Sequence, residues 1–356
     1  PNWRLTSFGS ICKRMIRTDT TLIIGAGANR EIEMPDGPEL LSKIASGYEF
    51  ERLNSEVKSR DLISLAHLFE RVAPEFGMSY DQLVAGATAI RDATLVSTNI
   101  DAILEQYGHD PAVQAAGKIA IVYYTLQAES KSTLAAEPRS SDELPLRGTE
   151  NWLFQLGQLI VKGVPRARAE ECFEKLSIVC FNYDRAIEHY LPWVVQRAFG
   201  MTIEEARELV AGRLRIVHPY GVAGRLPWQG DEENGATWGD VDAENVVALS
   251  KRIFTASQRE KSRQFRSYLR AEMSRGKRLA FLGFGFDPMN VAMLFDELEH
   301  DNPDMLITLM NIGEVEQKAI LRLIHRLTGI TDDGLITLEK MKAFELLRDY
   351  ARFLES

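Results

Sequence analysis

Residues 21–29 read Thr-Leu-Ile-Ile-Gly-Ala-Gly-Ala-Asn, a short apolar run that ends in a glycine-rich turn. Thr20–Ile24 is rich in β-branched residues, which favour a buried strand. Gly25 and Gly27 have no Cβ, so a ligand can approach the backbone of the turn, and oriented N–H groups at a strand end favour an anion. The stretch therefore predicts the first strand of an α/β sheet and a pyrophosphate site. The alternative is a purely structural turn.

Further segments indicate that this strand belongs to a larger parallel sheet. Four later runs are apolar enough to be buried strands: Leu176–Phe181, Arg215–His218, Arg278–Leu282 and Leu306–Met310. Helical patterns are found at Glu188–Ala198, Ile203–Ala211, Gln258–Ser274, Val291–Glu299 and Leu338–Leu354. Alternating strands and helices are typical of a doubly wound sheet. We therefore predict an α/β fold, a Rossmann-like doubly wound parallel sheet with a helical insertion domain.

The insertion is predicted between the first two strands. Apolar residues at positions 62, 65, 66 and 69 have helical spacing, and the chain from about 50 to 135 is mostly of this kind. This organisation predicts a sheet-bearing core formed by residues 1–45 and 165–356. Residues 46–164 are predicted to form the helical insertion domain.

Composition limits the function classes. The 356 residues have a net charge of −9, which argues against binding driven by phosphate neutralisation, so direct nucleic-acid binding is not expected. Three cysteines, Cys12, Cys172 and Cys180, show no paired spacing, which favours a reducing compartment and excludes a four-thiolate zinc site. No apolar run is long enough for a membrane span, and the first residues do not resemble a signal peptide. The expected location is the cytoplasm.

The strand ends contain the candidate site. Glycine or polar residues follow four of the predicted strands, at Gly25–Asn29, Asn182–Asp184, His218 and Gly283–Gly285. Ligands of open α/β sheets bind outside the carboxyl ends of the strands. These segments are therefore expected to converge on one crevice.

These motifs together also resemble those of a known family. Gly25-Ala26-Gly27, Phe181-Asn182-Tyr183-Asp184, His218-Pro219-Tyr220-Gly221 and Leu282-Gly283-Phe284-Gly285 are similar, in this order, to the motifs of the sirtuin superfamily. The similarity is to its bacterial sirtuin-like NAD hydrolase branch and covers about residues 20–40 and 175–310. It implies that the core binds NAD.

The resemblance also implies roles for individual residues. Asn182 would contact the nicotinamide ribose and place the attacking water, and His218 would act as a base toward a ribose hydroxyl or water. The implied NAD-binding residues are Gly25, Ala26, Gly27, Asn29, Asp184, Gly283, Gly285 and Asn290. The three residues of the first turn would hold the pyrophosphate. Asp184 would hold the nearby loop or the nicotinamide amide, and the last three residues would line the adenosine side.

Cleavage of the nicotinamide–ribose bond is consistent with these residue types. The reaction passes through an oxocarbenium-like state, as glycoside cleavage does. Nicotinamide is a good leaving group, so the site needs a positioned water, a base that titrates near neutrality and exclusion of bulk solvent. Histidine, with an ordinary pKa of about 6.5, fits the second requirement.

The chain departs from the family in ways that bear on function. Without the four-cysteine zinc module of sirtuin deacylases, hydrolysis of NAD to nicotinamide and ADP-ribose is expected rather than lysine deacylation. The resemblance implies anti-phage defence by NAD depletion (abortive infection), a homo-oligomer, and in some members a helicase-type ATPase partner of the HerA kind. Two alternatives remain: a sensor that binds NAD or ADP-ribose without turnover, and a nuclease subunit that acts with an ATPase.

Some of these residues also have plainer interpretations. Thr98-Asn99-Ile100-Asp101 resembles the Thr-x-Asn-x-Asp pattern of the same family, but it lies in helical periodicity, so we interpret Thr98 or Asp101 as a helix cap. His218 could be a buried structural histidine. Its spacing from Asn182, 218 − 182 = 36 residues, allows one helix between two adjacent parallel strands and favours the functional role.

Overall fold

The computed structural model of the chain describes residues 16–54, 59–230, 235–241, 245–295, 302–310, 312–330 and 332–355. Cys12 and the end of the predicted helix Val291–Glu299 lie outside the described residues. Among the helices that are described, none has the length and apolar character needed to cross a membrane.

The described residues form one sheet of six parallel strands. The strands are β1 (Thr20–Ile24), β2 (Leu176–Cys180), β3 (Arg215–Val217), β4 (Arg278–Leu282), β5 (Asp304–Thr308) and β6 (Ile336–Glu339). Their order across the sheet is β3-β2-β1-β4-β5-β6, and each neighbouring pair is parallel. The predicted Rossmann-like α/β fold is confirmed. The strand order reverses between β1 and β4, and such a reversal is where ligands bind in this fold class.

Helices cover both faces of the sheet. Those before β2 are α1 (Ala26–Asn29), α2 (Gly37–Gly47), α3 (Arg60–Val72), α4 (Tyr80–Ala93), α5 (Ile100–Gln106), α6 (Pro111–Lys131) and α7 (Trp152–Val161). Those after β2 are α8 (Ala186–Phe199), α9 (Ile203–Arg213), α10 (Val246–Ser250), α11 (Ala256–Lys261), α12 (Arg263–Arg275), α13 (Pro288–Phe295), α14 (Glu314–Thr328), α15 (Ala343–Asp349) and α16 (Ala351–Glu355).

The last strand corrects one prediction. The predicted helix Leu338–Leu354 was wrong at its start, because Ile336–Glu339 is a strand that pairs with β5. Helices α15 and α16 form the rest of that segment. A run of four residues is too short to show a period of its own, so the apolar pattern of the following helix was extended backwards over it. The strand is recognised only through its pairing partner.

The apolar core lies in two layers, one on each face of the sheet. Alternate residues of β1 point to opposite faces: Ile23 packs with helices α2 to α6, whereas Leu22 and Ile24 pack with α7, α8 and α15. The segment predicted as a helical insertion therefore contributes helices to both layers. Because α2–α6 share one apolar cluster with the sheet, they are held firmly over its carboxyl edge.

A buried ion pair also ties this segment to the sheet. The guanidinium of Arg185, at the start of α8, donates to the carboxylate of Glu129 on α6, and their side chains are 1% and 0% exposed. Arg185 also donates to the carbonyl of Ala236, and Glu129 accepts from the N–H of Gly239 at 3.1 Å. Buried charges are tolerated only when paired and hydrogen-bonded in this way. The pair fixes the chain that directly follows Asp184.

Candidate functional site

The register of the sheet brings three predicted motifs together. Ile24 lies beside Cys180 on one side and Leu282 on the other. The strands β1, β2 and β4 therefore end at the same level, and their polar and glycine residues leave the sheet side by side. The N–H of Gly25 donates to the carbonyl of Leu282 at 3.0 Å, and that of Phe181 donates to the carbonyl of Ile24 at 2.8 Å.

The glycines of β1 and β4 pack against one another. The N–H of Gly27 donates to the carbonyl of Gly283 at 3.0 Å. A Cβ on Gly25 would lie 2.6 Å from that carbonyl oxygen. A Cβ on Gly283, whose φ is +57°, would lie 1.9 Å from the nitrogen of Ala28. These glycines permit two turns to touch, which is the structural alternative raised above, and the N–H groups of Gly25 and Gly27 are already used within the protein.

A cavity of about 620 Å³ opens above these turns. Asn182 and all eight predicted NAD-binding residues line it: Gly25, Ala26, Gly27, Asn29, Asp184, Gly283, Gly285 and Asn290. Three of the four segments expected to converge therefore meet in the structure, and the fourth, His218, does not line the cavity. We call this cavity the cleft.

A second cavity of about 690 Å³ adjoins the cleft. The two share Asp36, Gly27 and the segment Gly283–Gly285 in their linings. The second cavity extends over Thr308 at the end of β5 and contributes two cations, Arg30 and Lys342. Together they form a crevice that follows the carboxyl edge across the strand reversal.

Asp184 is held from both sides. One of its carboxylate oxygens accepts from Nδ2 of Asn29 at 2.5 Å, and the other accepts from the N–H of Ala186 at 3.0 Å. Burial raises the pKa of Asp184 to about 6, and its hydrogen bonds only partly oppose that shift. Of its two predicted roles, Asp184 in the structure fills the first: it holds the surrounding loops.

Two buried amide oxygens in the lining of the cleft have no hydrogen-bond partner in the described residues. They are Oδ1 of Asn29 and Oδ1 of Asn182, on side chains that are 2% and 5% exposed. An unsatisfied buried acceptor costs about 1–3 kcal/mol, so it is a feature that requires an explanation. Both residues line the cleft, and a ligand with hydroxyl or N–H donors would satisfy them.

His218 lies apart from these residues. Its ring is not among the groups that line the cleft. Nε2 lies 2.9 Å from Oε1 of Glu188, and Nδ1 lies 3.3 Å from the carbonyl oxygen of Asn182. Both nitrogens thus face acceptors, an arrangement that suits an imidazolium. Burial alone would lower the pKa of His218, but the Glu188 carboxylate outweighs it and the net shift is well upward.

This geometry matches the plainer interpretation of His218, a buried histidine with satisfied partners. Two helices, α8 and α9, connect β2 to β3. The spacing from Asn182 was expected to allow one. The structure therefore places His218 behind Asn182 and does not bring it to the cleft with the other predicted residues. Its predicted role as a base toward the ribose or water stays a prediction.

The segment Thr98–Asp101 both caps a helix and lines the cleft, although these two features were expected to be alternatives. It caps a helix, but the capping side chain is Asn99, whose Oδ1 accepts from the N–H of Ala102 at 2.8 Å. The expectation that Thr98 or Asp101 is the cap was wrong, because α5 begins at Ile100. All four residues of the segment also line the cleft. The similarity of this segment to the family pattern was the signal that could have indicated this.

Two tyrosines complete this side of the cleft. The hydroxyl of Tyr183 donates to the carboxylate of Asp101, and that of Tyr220 donates to Oδ1 of Asn290. The two rings lie 6.3 Å apart. No role was expected of either tyrosine from the sequence, although both lie inside the quoted motifs. The Tyr183 contact links the insertion to the end of β2, and the Tyr220 contact links the segment after β3 to α13.

The cleft is acidic. Its lining includes Asp36, Asp101, Asp184, Asp287 and Glu316, and among the described residues that line it none is lysine or arginine. Within the described part of the chain, no group of three or more histidine, cysteine or acidic side chains is arranged to hold a metal ion. An acidic, partly enclosed site favours a ligand or transition state that bears positive charge.

The fold and the cleft define a Rossmann-like α/β protein with a ligand crevice at the strand reversal. No protein-family model matches the chain, and no curated protein matches it.

Proposed function

We propose that the protein is an NAD hydrolase that cleaves NAD to nicotinamide and ADP-ribose in the cleft. The observation that supports this most directly is the pair of adjoining cavities on the two sides of the glycine turns. A dinucleotide has two nucleoside halves joined by a pyrophosphate, and a crevice that crosses the strand reversal suits that shape. The first cavity would take the nicotinamide ribose and the second the adenosine. In this orientation Asn290, which lines the first cavity, would face the nicotinamide half and not the adenosine side expected from the sequence.

The two cavities differ in charge. The lining of the cleft has no lysine or arginine among the described residues, whereas the second cavity has two cations beside the acidic residues Glu31, Glu33, Asp36 and Glu150. Arg30, which also pairs with Asp36 at 3.1 Å, and Lys342 would offer positive charge to the pyrophosphate. The cleft itself contains carboxylates, which stabilise the positive charge of the nicotinamide ring and of an oxocarbenium-like ribose. In this proposal the positively charged nicotinamide ring and its ribose therefore lie in the acidic cleft.

The unpartnered oxygens supply the contacts to the reacting end. Oδ1 of Asn182 would accept from a ribose hydroxyl or from the attacking water, and Oδ1 of Asn29 would accept from a second donor of the ligand. A site built around buried acceptors rejects analogues that lack the matching donor. The proposal therefore predicts that ribose hydroxyls are required for tight binding.

The wider role is proposed from the resemblance. It comprises anti-phage defence by NAD depletion, assembly as a homo-oligomer and regulation by a separate activator such as a HerA-type ATPase. Light scattering of the purified chain tests the oligomer: a multimer is expected, and a strict monomer would count against it.

Release of nicotinamide from NAD tests the activity. We expect the full chain to release it and Asn182→Ala to slow release by at least about 100-fold, since the side chain places the reacting groups. Gln158→Ala, on the exposed side of α7, is the control that keeps the wild-type rate. Binding without turnover would favour the sensor, and absence of NAD binding would contradict the proposal.

A further inference from the structure

One acidic side chain of the cleft comes from the helical insertion rather than from a strand end. Asp101 lies in the first turn of α5 and is half-buried. It lines the same cavity as Asn182 and Asp184. The apolar cluster shared by α5, α6 and the sheet fixes the position of this helix.

The aspartates of the cleft differ in which groups hold each carboxylate. Both oxygens of Asp184 accept hydrogen bonds from the protein. Asp287 accepts from the N–H of Met289 at 2.9 Å and so caps the start of α13. Asp101 accepts from the Tyr183 hydroxyl and from its own backbone N–H, and it lines the cavity from the side of the helical insertion.

We propose that Asp101 is the catalytic base of the cleft and takes the proton from the water that attacks the ribose. This inference rests on the proposed NAD hydrolysis. The role differs from that expected at first, in which His218 was the base. It also gives the helical insertion a direct part in the chemistry.

The proposed step balances without a further reactant. The water oxygen forms a bond to C1′ of the ribose, and the C1′–nitrogen bond to nicotinamide breaks. The electron pair of that bond stays on the ring nitrogen and neutralises the pyridinium. One water proton passes to the Asp101 carboxylate and from there to solvent, and the products are nicotinamide and ADP-ribose.

The surroundings of Asp101 suit a base that works near neutrality. Burial is the main cause that raises the pKa of Asp101, to about 6, and the carboxylates of Asp287 and Glu105 add to the increase. The Tyr183 hydroxyl lowers it, because its hydrogen bond favours the charged form. Tyr220 is the other titratable group that faces this carboxylate. Asp101 is therefore ionised at pH 7 and protonated below about pH 6.

His218 is poorly placed for the same task. Both its ring nitrogens face acceptors within the protein, and Glu188 holds it in the charged form, which has no lone pair to accept a proton. It acts instead on the backbone of Asn182. In this account His218 is a positioning residue.

The pH profile of nicotinamide release distinguishes the two residues. For the wild type we expect kcat/KM to fall below a pH of about 6, where Asp101 takes up its proton. Tyr183→Phe removes the hydrogen bond that lowers this pKa. The fall in kcat/KM at low pH, the acidic limb of the profile, is therefore expected to move to higher pH in this variant. Asp101→Asn is expected to lose about 100- to 10,000-fold in rate, the range for a general base. NAD affinity is expected to change by less than about threefold in Asp101→Asn, since the amide keeps the shape of the carboxylate. Asp92→Asn, which changes an exposed side chain at the end of α4, is the control. It is expected to leave both the rate of nicotinamide release and the pH of the acidic limb unchanged.

Several results would overturn the assignment. These are an acidic limb well above pH 6.5, a limb that stays in place in Tyr183→Phe, or an Asp101→Asn variant that turns over NAD at the wild-type rate.

A second readout keeps the inference separate from the proposed function. If the full chain does not release nicotinamide, the carboxyl ¹³C resonances of aspartate are titrated by NMR instead. A signal with a midpoint near pH 6 that disappears in Asp101→Asn and moves upward in Tyr183→Phe supports Asp101 as a group able to take up a proton. A midpoint near 4 contradicts it.

Discussion

The two walls of the cleft are held in place by different kinds of contact. The strand wall consists of Gly25–Asn29, Asn182–Asp184 and Gly283–Gly285, and the insertion wall consists of Thr98–Asp101. On the strand wall, the N–H groups of Gly25 and Gly27 and both oxygens of Asp184 are engaged within the protein. On the insertion wall, the Asp101 carboxylate is held by the Tyr183 hydroxyl and by its own backbone N–H.

This difference suggests that the strand wall mainly holds the shape of the site and that the insertion wall contributes groups to the chemistry. The strand wall resembles a rigid frame whose hydrogen bonds are used to hold its own shape, with the two amide oxygens as the exceptions. The insertion wall is held mainly by apolar packing of its helices, which leaves polar groups available for a ligand. A site supported by rigid elements keeps the geometry that catalysis needs. The variants below test this division, from the largest expected effect to the smallest.

Glu129→Gln breaks the buried ion pair that ties α6 of the helical insertion to the start of α8, directly after the strand wall. The substitution leaves the Arg185 guanidinium buried without its counter-charge, and loss of one partner of a buried pair costs about 3–5 kcal/mol. We expect a decrease of that size in the free energy of unfolding measured with urea. Arg348→Ala removes an exposed pair with Asp349 and is expected to leave the unfolding midpoint unchanged. Equal stability of the two variants would show that the buried pair does not hold α6 to the start of α8.

Gly283→Ala tests the frame itself. The new Cβ would meet the nitrogen of Ala28 at 1.9 Å, and the residue has φ +57°. We expect a loss of at least about 2 kcal/mol from backbone strain and the clash together, measured by thermal unfolding. Gly285→Ala is the matched control, because nothing lies within 4 Å of its Cβ. A similar loss in both variants would contradict the account of the packed turns.

His218→Gln tests the charged state of the buried histidine. Because the pKa of His218 is raised in the folded protein, its stabilising effect is complete below the unfolded value of about 6.5 and is lost as the pH rises through the folded value. The difference in stability between wild type and His218→Gln should therefore shrink above pH 6.5, by at most about 1.4 kcal/mol per pH unit. Urea unfolding between pH 6 and pH 9 measures it. A difference that grows with pH would mean that the imidazole is neutral.

Asn99→Ala tests which residue caps α5 on the insertion wall. Removal of an N-cap side chain costs about 1 kcal/mol, and a decrease of that size is expected in the unfolding free energy. Thr98→Ala, one residue earlier, is expected to change it little. The opposite order would restore the original interpretation of Thr98 as the cap.

The sequence predicted the features that depend on local pattern. The apolar runs of five strands and the residues that follow them defined the fold and the cleft, because the carboxyl ends of parallel strands meet at one edge. β6 was missed because its four residues show no clear period. The hydrogen bond between Tyr183 and Asp101 was not predictable, since the two residues are 82 positions apart and meet only because of how the insertion packs on the sheet. The use of glycine N–H groups within the protein also depends on that packing.

The most direct test compares nicotinamide release by Asp101→Asn and His218→Gln at pH 7.5, with each variant confirmed to be folded at the assay temperature. The account predicts that Asp101→Asn loses at least about 100-fold in rate and that His218→Gln, which disturbs only the position of Asn182, loses much less. If His218→Gln abolishes release while Asp101→Asn retains it, the base is His218, behind Asn182, and the assignment of Asp101 as the base is wrong.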